Sequence, residues 1–200
     1  GLKLKRIRVQ KPLFLNEEKE MSAEEYKKLV QTALHCGKDQ LALCMETIAV
    51  TGIRISELRY FTVENVRKGR IEIYNKGKYR RIFLPSWICS KLLYFCSVND
   101  ISGGCIFITR NGKPKDRSDL LKEMKALKED SGIAEEKIFP HNFRHLFARE
   151  YYRCTGDIAG LADLLGHSSL NVTRIYTANT GEIYQRQLDA LKTLEIEGYN

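Results

Sequence analysis

Apolar residues recur at helical spacing along most of the chain. Ser22 and Glu25 form the Ser-x-x-Glu pattern of a helix start, and the apolar positions after them repeat three and four apart (Leu29, Val30, Ala33 and Leu34). Further helices are predicted in DQLALCMETIAVTG, RISELRYFTVENV, SWICSKLLYFCSVN, SDLLKEMKALKEDSG, DIAGLADLLG, SLNVTRIYTA and GEIYQRQLDALKTLEI, and from His141 to about Tyr152. The helix in SDLLKEMKALKEDSG is expected to begin at Ser118 or Asp119 and to end near Gly132.

One stretch, GRIEIYNKGKYRRIFLP, has the pattern of a β-hairpin instead. Ile71 and Ile73 alternate with charged residues, NKGK reads as a turn, and an extended pattern resumes before Pro85. GCIFITRNGKP is predicted to be a short strand and turn. The predicted fold class is therefore mostly α with a small antiparallel β-sheet (α+β).

Composition limits the class of protein further. The chain has 200 residues, 43% of them hydrophobic, which is enough for a real core, and a net charge of +8, which suits a polyanionic partner, most often nucleic acid. No apolar run approaches membrane-spanning length and no signal peptide is visible. The six cysteines are scattered without CxxC or zinc-finger spacing, as expected of reduced thiols in a cytoplasmic protein.

The stretch PHNFRHLFARE gathers cationic groups at a predicted helix start. Pro140 suits the first helical turn, and His141, Arg144 and His145 share one helical face, opposite an apolar set expected to enter the core (Phe143, Leu146 and Phe147). A helix N-terminus also carries partial positive charge, so this face is built to meet an anion. A zinc site is the alternative, but Asn142 stands where a metalloprotease has glutamate, and Arg144 would repel the cation.

Three other stretches carry candidate chemistry. In TGIRISEL, Glu57 is placed to orient Arg54, although a structural ion pair is the alternative. Lys76 lies at the hairpin turn, flanked by basic residues that suit a DNA-facing hairpin (Arg70, Lys78, Arg80 and Arg81), and the alternative is a solvated lysine. In LLGHSSLNVTRIY, His167 follows a helix-ending glycine and Tyr176 lies nine residues later; the alternative is a turn histidine and a half-buried core tyrosine.

In identity, order and spacing this series resembles the tyrosine recombinase (phage integrase) family. The series is Arg54 in TGIRISEL, Lys76 at the hairpin tip, HNFRH, LLGH and Tyr176, and the resemblance runs from about Ser22 to the C-terminus. It is greatest to the integrases of conjugative transposons. It implies the tyrosine recombinase catalytic-domain fold over residues 21–200, with residues 1–20 as a linker or arm from a missing upstream core-binding domain.

The resemblance also assigns roles around one DNA phosphodiester. Arg54 and Arg144 match the arginines that clamp its non-bridging oxygens. His141 matches a proton-transfer and phosphate-contacting position, and His167 matches the residue that donates a hydrogen bond to the same phosphate.

The remaining roles concern the reacting groups. Tyr176 matches the nucleophile that forms a 3′-phosphotyrosyl link, and Lys76 matches the general acid on the leaving 5′-oxygen. Glu57 and His145 are expected to support the other residues. The resemblance implies no metal ion and no cofactor, because the covalent link conserves the energy of the broken bond.

By the same resemblance, the partners are double-stranded DNA and further copies of the chain. A tetramer is expected on DNA and a monomer without it, and the terminal helix, about 181–196, either packs in cis or docks onto a neighbouring protomer when DNA is bound. The implied function is site-specific strand exchange for integration or excision of a mobile element. Two alternatives are a basic DNA-binding module without catalysis and a type IB topoisomerase-like enzyme.

Overall fold

The computed structural model describes residues 19–75 and 78–166. Its α-helices are α1 (Ala23–His35), α2 (Asp39–Thr51), α3 (Val63–Arg67), α4 (Ser86–Val98), α5 (Arg117–Lys125), α6 (Lys128–Ser131), α7 (Pro140–Thr155) and α8 (Ile158–Leu165). Short 3-10 helices span Ile55–Tyr60 and Glu135–Lys137, and strands β1 (Arg70–Asn75) and β2 (Lys78–Phe83) form one antiparallel pair. The mostly helical class with a small sheet is thus confirmed. The predicted arm up to residue 18, the turn at 76–77 and the helices predicted beyond residue 166 lie outside the described residues.

Local sequence signals set several helix ends. Ser22 caps α1, because its hydroxyl accepts from the Glu25 N–H at 3.0 Å while the Glu25 carboxylate accepts from the Ser22 N–H at 2.9 Å. Pro140 occupies the first turn of α7, as predicted. Gly52 ends α2 in the left-handed region at φ 64°, and a Cβ added there would overlap the Phe147 side chain of α7.

The core lies mainly between α1, α2 and α7. Leu29 of α1, Ile48 of α2 and Phe143 of α7 are fully buried there, and α2 packs directly against both other helices. A second, smaller cluster joins α7 to α8 through Ala148 and Leu161. Helix α7 therefore contacts both clusters, and this holds its first turn in place relative to the ends of α2 and α8.

The hairpin has the predicted alternation. Ile71 pairs with Ile82 and Ile73 with Arg80, and the three isoleucines are buried. The opposite face carries exposed aromatic side chains (Tyr74, Tyr79 and Phe83). The inward face of the sheet thus packs on the helical core.

Three predicted segments differ from the structure. Helix α5 begins at Arg117 because Asp116 caps it, and α6 is a separate turn that ends at Gly132, as predicted. GCIFITRNGKP forms no regular strand, only isolated bridges (Thr62 with Cys105, and Ile108 with Pro114). RISELRYFTVENV divides into a 3-10 helix and α3, because extended Thr62 caps α3 through the Asn65 N–H.

Within 19–75 and 78–166, no helix combines the length and apolar character needed to cross a bilayer. All six cysteines lie in these ranges as free thiols.

Candidate active site

The turn after α2 positions Arg54. Ile53 and Leu58 are buried on either side of it, while the Arg54 side chain stays 45% exposed. Glu57 folds back onto this turn, and one carboxylate oxygen accepts the Arg54 backbone N–H at 2.7 Å. The other oxygen lies 3.7 Å from Arg54 Nη1. Glu57 therefore fixes the backbone of Arg54 and pairs only loosely with its guanidinium.

Arg144 of α7 is buried, whereas the helical pattern predicted it on the face that meets an anion. Only 2% of the residue is exposed, and its guanidinium donates to the carbonyl of Gly52 and, at 2.7 Å, to that of Leu165. Both carbonyls lie at helix C-termini, where acceptors lack helical partners and the helix dipole is negative. Arg144 thus links the ends of α2 and α8, because one guanidinium bonds to a carbonyl at each of them.

The two histidines of α7 lie next to each other on its first two turns, with ring centroids 5.5 Å apart. The pKa of His141 is lowered first by partial burial and then by the positive charges of Arg144, Arg117 and Arg54. Burial, with the charges of His141, Arg149 and Arg144, lowers the pKa of His145 to about 4. His145 is therefore neutral at pH 7.

These charges show which candidates the fold brings together. Arg54 and Arg144 come from segments far apart in sequence, yet both charges act on His141. Arg117, the first residue of α5, contributes to the same field and is a residue that sequence reasoning missed. Nothing in its local pattern placed it there, because only the tertiary packing of α5 brings it near α7. The result is a concentration of positive charge around an imidazole whose pKa is lowered.

Arg80 is the second residue that sequence reasoning missed. It was grouped with the DNA-facing basic residues, but its side chain is only 12% exposed and forms an ion pair with Glu57. It also donates to the carbonyl of Leu164 at 2.8 Å. The signal was in the strand alternation, since Arg80 lies two positions before buried Ile82 and opposite buried Ile73.

A groove of about 720 Å³ lies beside this ion pair, between the 3-10 helix, β2 and the end of α8. Its lining includes Arg54, Arg80 and Arg81 together with Gly166. Arginine side chains dominate its charge, so it suits an anionic ligand better than a cationic one.

The other predicted residues lie outside the described ranges. In sequence, Lys76 lies between β1 and β2, and His167 and Tyr176 follow α8. Their roles stay predictions, as do those of Arg54, His141, Arg144, Glu57 and His145. Among the side chains that the structure describes, no three His, Cys, Asp or Glu residues converge in a way that would hold a metal ion.

Comparison with known proteins supports a family assignment. The sequence model of the phage integrase family matches residues 19–182. The tyrosine recombinase XerH of Campylobacter jejuni is 31% identical over 167 residues, which are 78% of this chain and 47% of that protein. The tyrosine recombinase XerA of Pyrococcus furiosus is 29% identical over 183 residues, 88% of this chain and 63% of that protein. The chain thus spans about half to two thirds of the length of these relatives.

Solved structures share the fold. A crystal structure of XerA recombinase superposes with a TM-score of 0.70 at 22% identity, covering 86% of this chain and 63% of that one. The Tn1549 transposon integrase in complex with transposon right end DNA gives 0.64 at 17% identity, covering 90% and 66%. A lambda integrase tetramer bound to a Holliday junction gives 0.64 at 22% identity, covering 78% and 47%.

The family match covers most of the chain, and the fold, the buried Arg144 and the Arg54 turn lie within it. We conclude that the chain belongs to the phage integrase family of tyrosine recombinases.

Proposed function

We propose that this chain is the catalytic part of a site-specific DNA recombinase that cleaves and rejoins strands through a 3′-phosphotyrosyl intermediate. The observation that carries the proposal is the meeting of Arg54, His141 and Arg144, which come from two distant segments and share one electrostatic field. The family membership of the chain supports the same reaction class.

The charge distribution suits a phosphodiester. Negative charge builds on the non-bridging oxygens as a nucleophile approaches phosphorus, and cationic donors already aimed there stabilise the transition state. Arg54 is half-exposed and available for this contact. Partial burial and the nearby arginine charges lower the pKa of His141, which favours its neutral form, as suits a group that accepts and returns a proton.

The proposed chemistry balances without a metal ion. The Tyr176 oxygen bonds to phosphorus as the bond from phosphorus to the 5′-oxygen breaks, and Lys76 gives the leaving oxygen its proton. The phenol proton passes to His141, while Arg54 and His167 bind the phosphate and the buried Arg144 adds its positive charge to the same field. The 5′-hydroxyl of a second strand then attacks the phosphotyrosyl link and reverses each step.

The proposed partners are double-stranded DNA and further copies of the chain. The net charge of +8 supports a DNA partner. The lambda integrase structure is a tetramer on a Holliday junction, and we extend that assembly to this chain, with a monomer in the absence of DNA. The Tn1549 integrase is complexed with transposon DNA, in line with integration or excision of a mobile element as the role proposed here.

A nicked-duplex trapping experiment tests the proposal. The chain is incubated in chelator with a pool of nicked duplexes whose sequence beside the nick is randomised, so that the short cleaved strand diffuses away and any covalent adduct persists. We expect an adduct that withstands denaturation, is absent in Tyr176→Phe, and is retained in Tyr94→Phe, a change at an exposed tyrosine of α4.

Three other results of these assays would contradict the proposal. An adduct that survives Tyr176→Phe would move the nucleophile to another residue. DNA binding without any adduct would favour the binding-module alternative. Relaxation of a supercoiled plasmid without exchange between two duplexes would favour the topoisomerase-like alternative.

A further inference from the structure

Arg80 is buried in a place where its charge must be compensated. It lies on the inward face of the hairpin, in line with Ile82 and opposite Ile73, and its side chain is 12% exposed. A guanidinium removed from water at such a position destabilises the fold unless it is paired. The groups that compensate the charge of Arg80 therefore indicate its role.

Those partners lie on two different segments next to predicted site residues. Arg80 Nη1 forms an ion pair with Glu57 Oε1, and Nη2 donates to the Leu164 carbonyl at 2.8 Å. The space is made by Gly166, where an added Cβ would lie 3.0 Å from Arg80 Cδ and Nε. Arg80 thus joins the hairpin to the Arg54 turn and to the last turn of α8.

The Glu57 carboxylate lies between two arginines and is closer to the Arg80 guanidinium than to that of Arg54. Its Oε1 is in direct contact with Arg80 but 3.7 Å from Arg54 Nη1, while its Oε2 accepts the Arg54 N–H. A carboxylate released by Arg80 would be free to pair closely with the Arg54 guanidinium, because the two already lie within ion-pair distance. Arg54 would then be neutralised before DNA arrived.

We propose that Arg80 is a positioning residue: it occupies the Glu57 carboxylate and so keeps the Arg54 guanidinium available for the DNA phosphate. This inference rests on the proposed function. Arg80 itself makes no contact with the reacting atoms in this role, and it acts through Glu57.

The test measures the rate of adduct formation at saturating DNA, with the nicked duplex most enriched in the randomised pool. Arg80→Met removes the charge and is expected to slow cleavage about tenfold to a hundredfold. This is less than the roughly hundredfold to thousandfold loss that follows removal of a transition-state donor, because Arg54 is still present. Arg80→Lys keeps a charge near Glu57 and should lose less. Arg153→Met, at an exposed arginine paired with Glu150 near the end of α7, is the matched control and should cleave at the wild-type rate.

A rescue experiment separates positioning from mere stability. Glu57→Gln added to Arg80→Met leaves an amide oxygen for the Arg54 N–H but no charge to neutralise its guanidinium, so the double variant should recover most of the lost rate. In an Arg54→Ala background, Arg80→Met should have less than about a threefold further effect, because residues that act through one another are non-additive. Thermal unfolding is followed for every variant, and rates are compared well below the lowest midpoint.

The outcomes are distinct. An absent wild-type adduct would overturn the proposed function and this role with it. A wild-type adduct with equal rates in Arg80→Met and Arg80→Lys would overturn this role alone. So would a slow double variant, or a full loss on adding Arg80→Met to Arg54→Ala, since either result would mean that Arg80 acts through stability or by another route.

Discussion

Arg144 of α7 donates a hydrogen bond to the carbonyl of Gly52, the residue that ends α2, across 92 positions of sequence. The same guanidinium reaches the Leu165 carbonyl at the end of α8. One buried side chain therefore sets the distance between the turn before Arg54 and the turn before His167.

Replacing Arg144 by methionine should lower the free energy of unfolding by about 2–4 kcal/mol, because two buried carbonyls lose their donor. Urea unfolding followed by far-UV circular dichroism measures the change. The control is Arg153→Met on the same helix, which should stay within about 0.5 kcal/mol of wild type because this arginine is exposed. Equal loss in the two variants would mean that the Arg144 contacts carry no stability.

Gly52→Ala should destabilise the chain by about 2–4 kcal/mol, since the new methyl adds a steric overlap to left-handed strain. An ideal Cβ at Gly52 lies 2.3 Å from Phe147 Cδ1, and φ is +64°. Gly37→Ala is a matched control, because φ there is +66° with nothing within 4 Å of the added atom. It should cost only about 1 kcal/mol for the strain alone, and similar losses at both positions would argue against the overlap.

Stability should fall as the pH drops from about 6.5 toward 4, in part because of His145. Its folded pKa of about 4 lies below the usual value of 6.5, so the unfolded chain binds a proton in this window that the folded chain does not. The contribution between pH 7 and pH 5 should be about 1 kcal/mol after allowance for partial exposure. Urea unfolding at both pH values should show a smaller decrease in His145→Gln than in wild type, and an equal decrease would contradict the assignment.

Glu57→Gln should destabilise the chain by about 3 kcal/mol, because it leaves the buried Arg80 guanidinium without a carboxylate. Glu72→Gln provides the contrast, since Glu72 pairs with Arg81 on the exposed face of the same hairpin and surface pairs contribute less than about 1 kcal/mol. Chemical denaturation of both variants measures the difference. Adding Arg80→Met to Glu57→Gln should restore part of the stability, and a further loss instead would mean that Arg80 is not the group left unpaired.

The sequence correctly predicted features that depend on a few neighbouring residues, such as helix caps and strand alternation. The Ser22 and Glu25 cap, the Pro140 start and the inward isoleucines of the hairpin are all found where they were expected. Leu34 was assigned to the apolar face of α1 but is 50% exposed, because the buried face of that helix is narrower than its apolar pattern. GCIFITRNGKP was predicted to contain a strand, but in the described part of the chain Cys105 forms only one isolated bridge, with Thr62, and no ladder continues from it.

The sequence named candidate residues for the site, and the arrangement of the described ones follows from tertiary packing. The proximity of Arg54, His141 and Arg144 follows from the packing of α2 on α7. The burial of Arg144 depends on where α8 ends, and that is a tertiary property that no single segment encodes. Arg117 was missed for the same reason, because only the packing of α5 brings it near α7. Strand alternation did indicate that Arg80 points inward, although its partners on other elements could not be read from the hairpin.

The last two carbonyls of α8 are each held by a different arginine, Leu164 by Arg80 and Leu165 by Arg144. An insertion before Leu164 should therefore disturb the fold more than an insertion after Leu165. An extra residue inserted just before Leu164 would pull both carbonyls out of register and would misplace everything that follows. The same residue inserted after His167 would leave both carbonyls bonded to their arginines, so the described part of the fold should tolerate a change of chain length there.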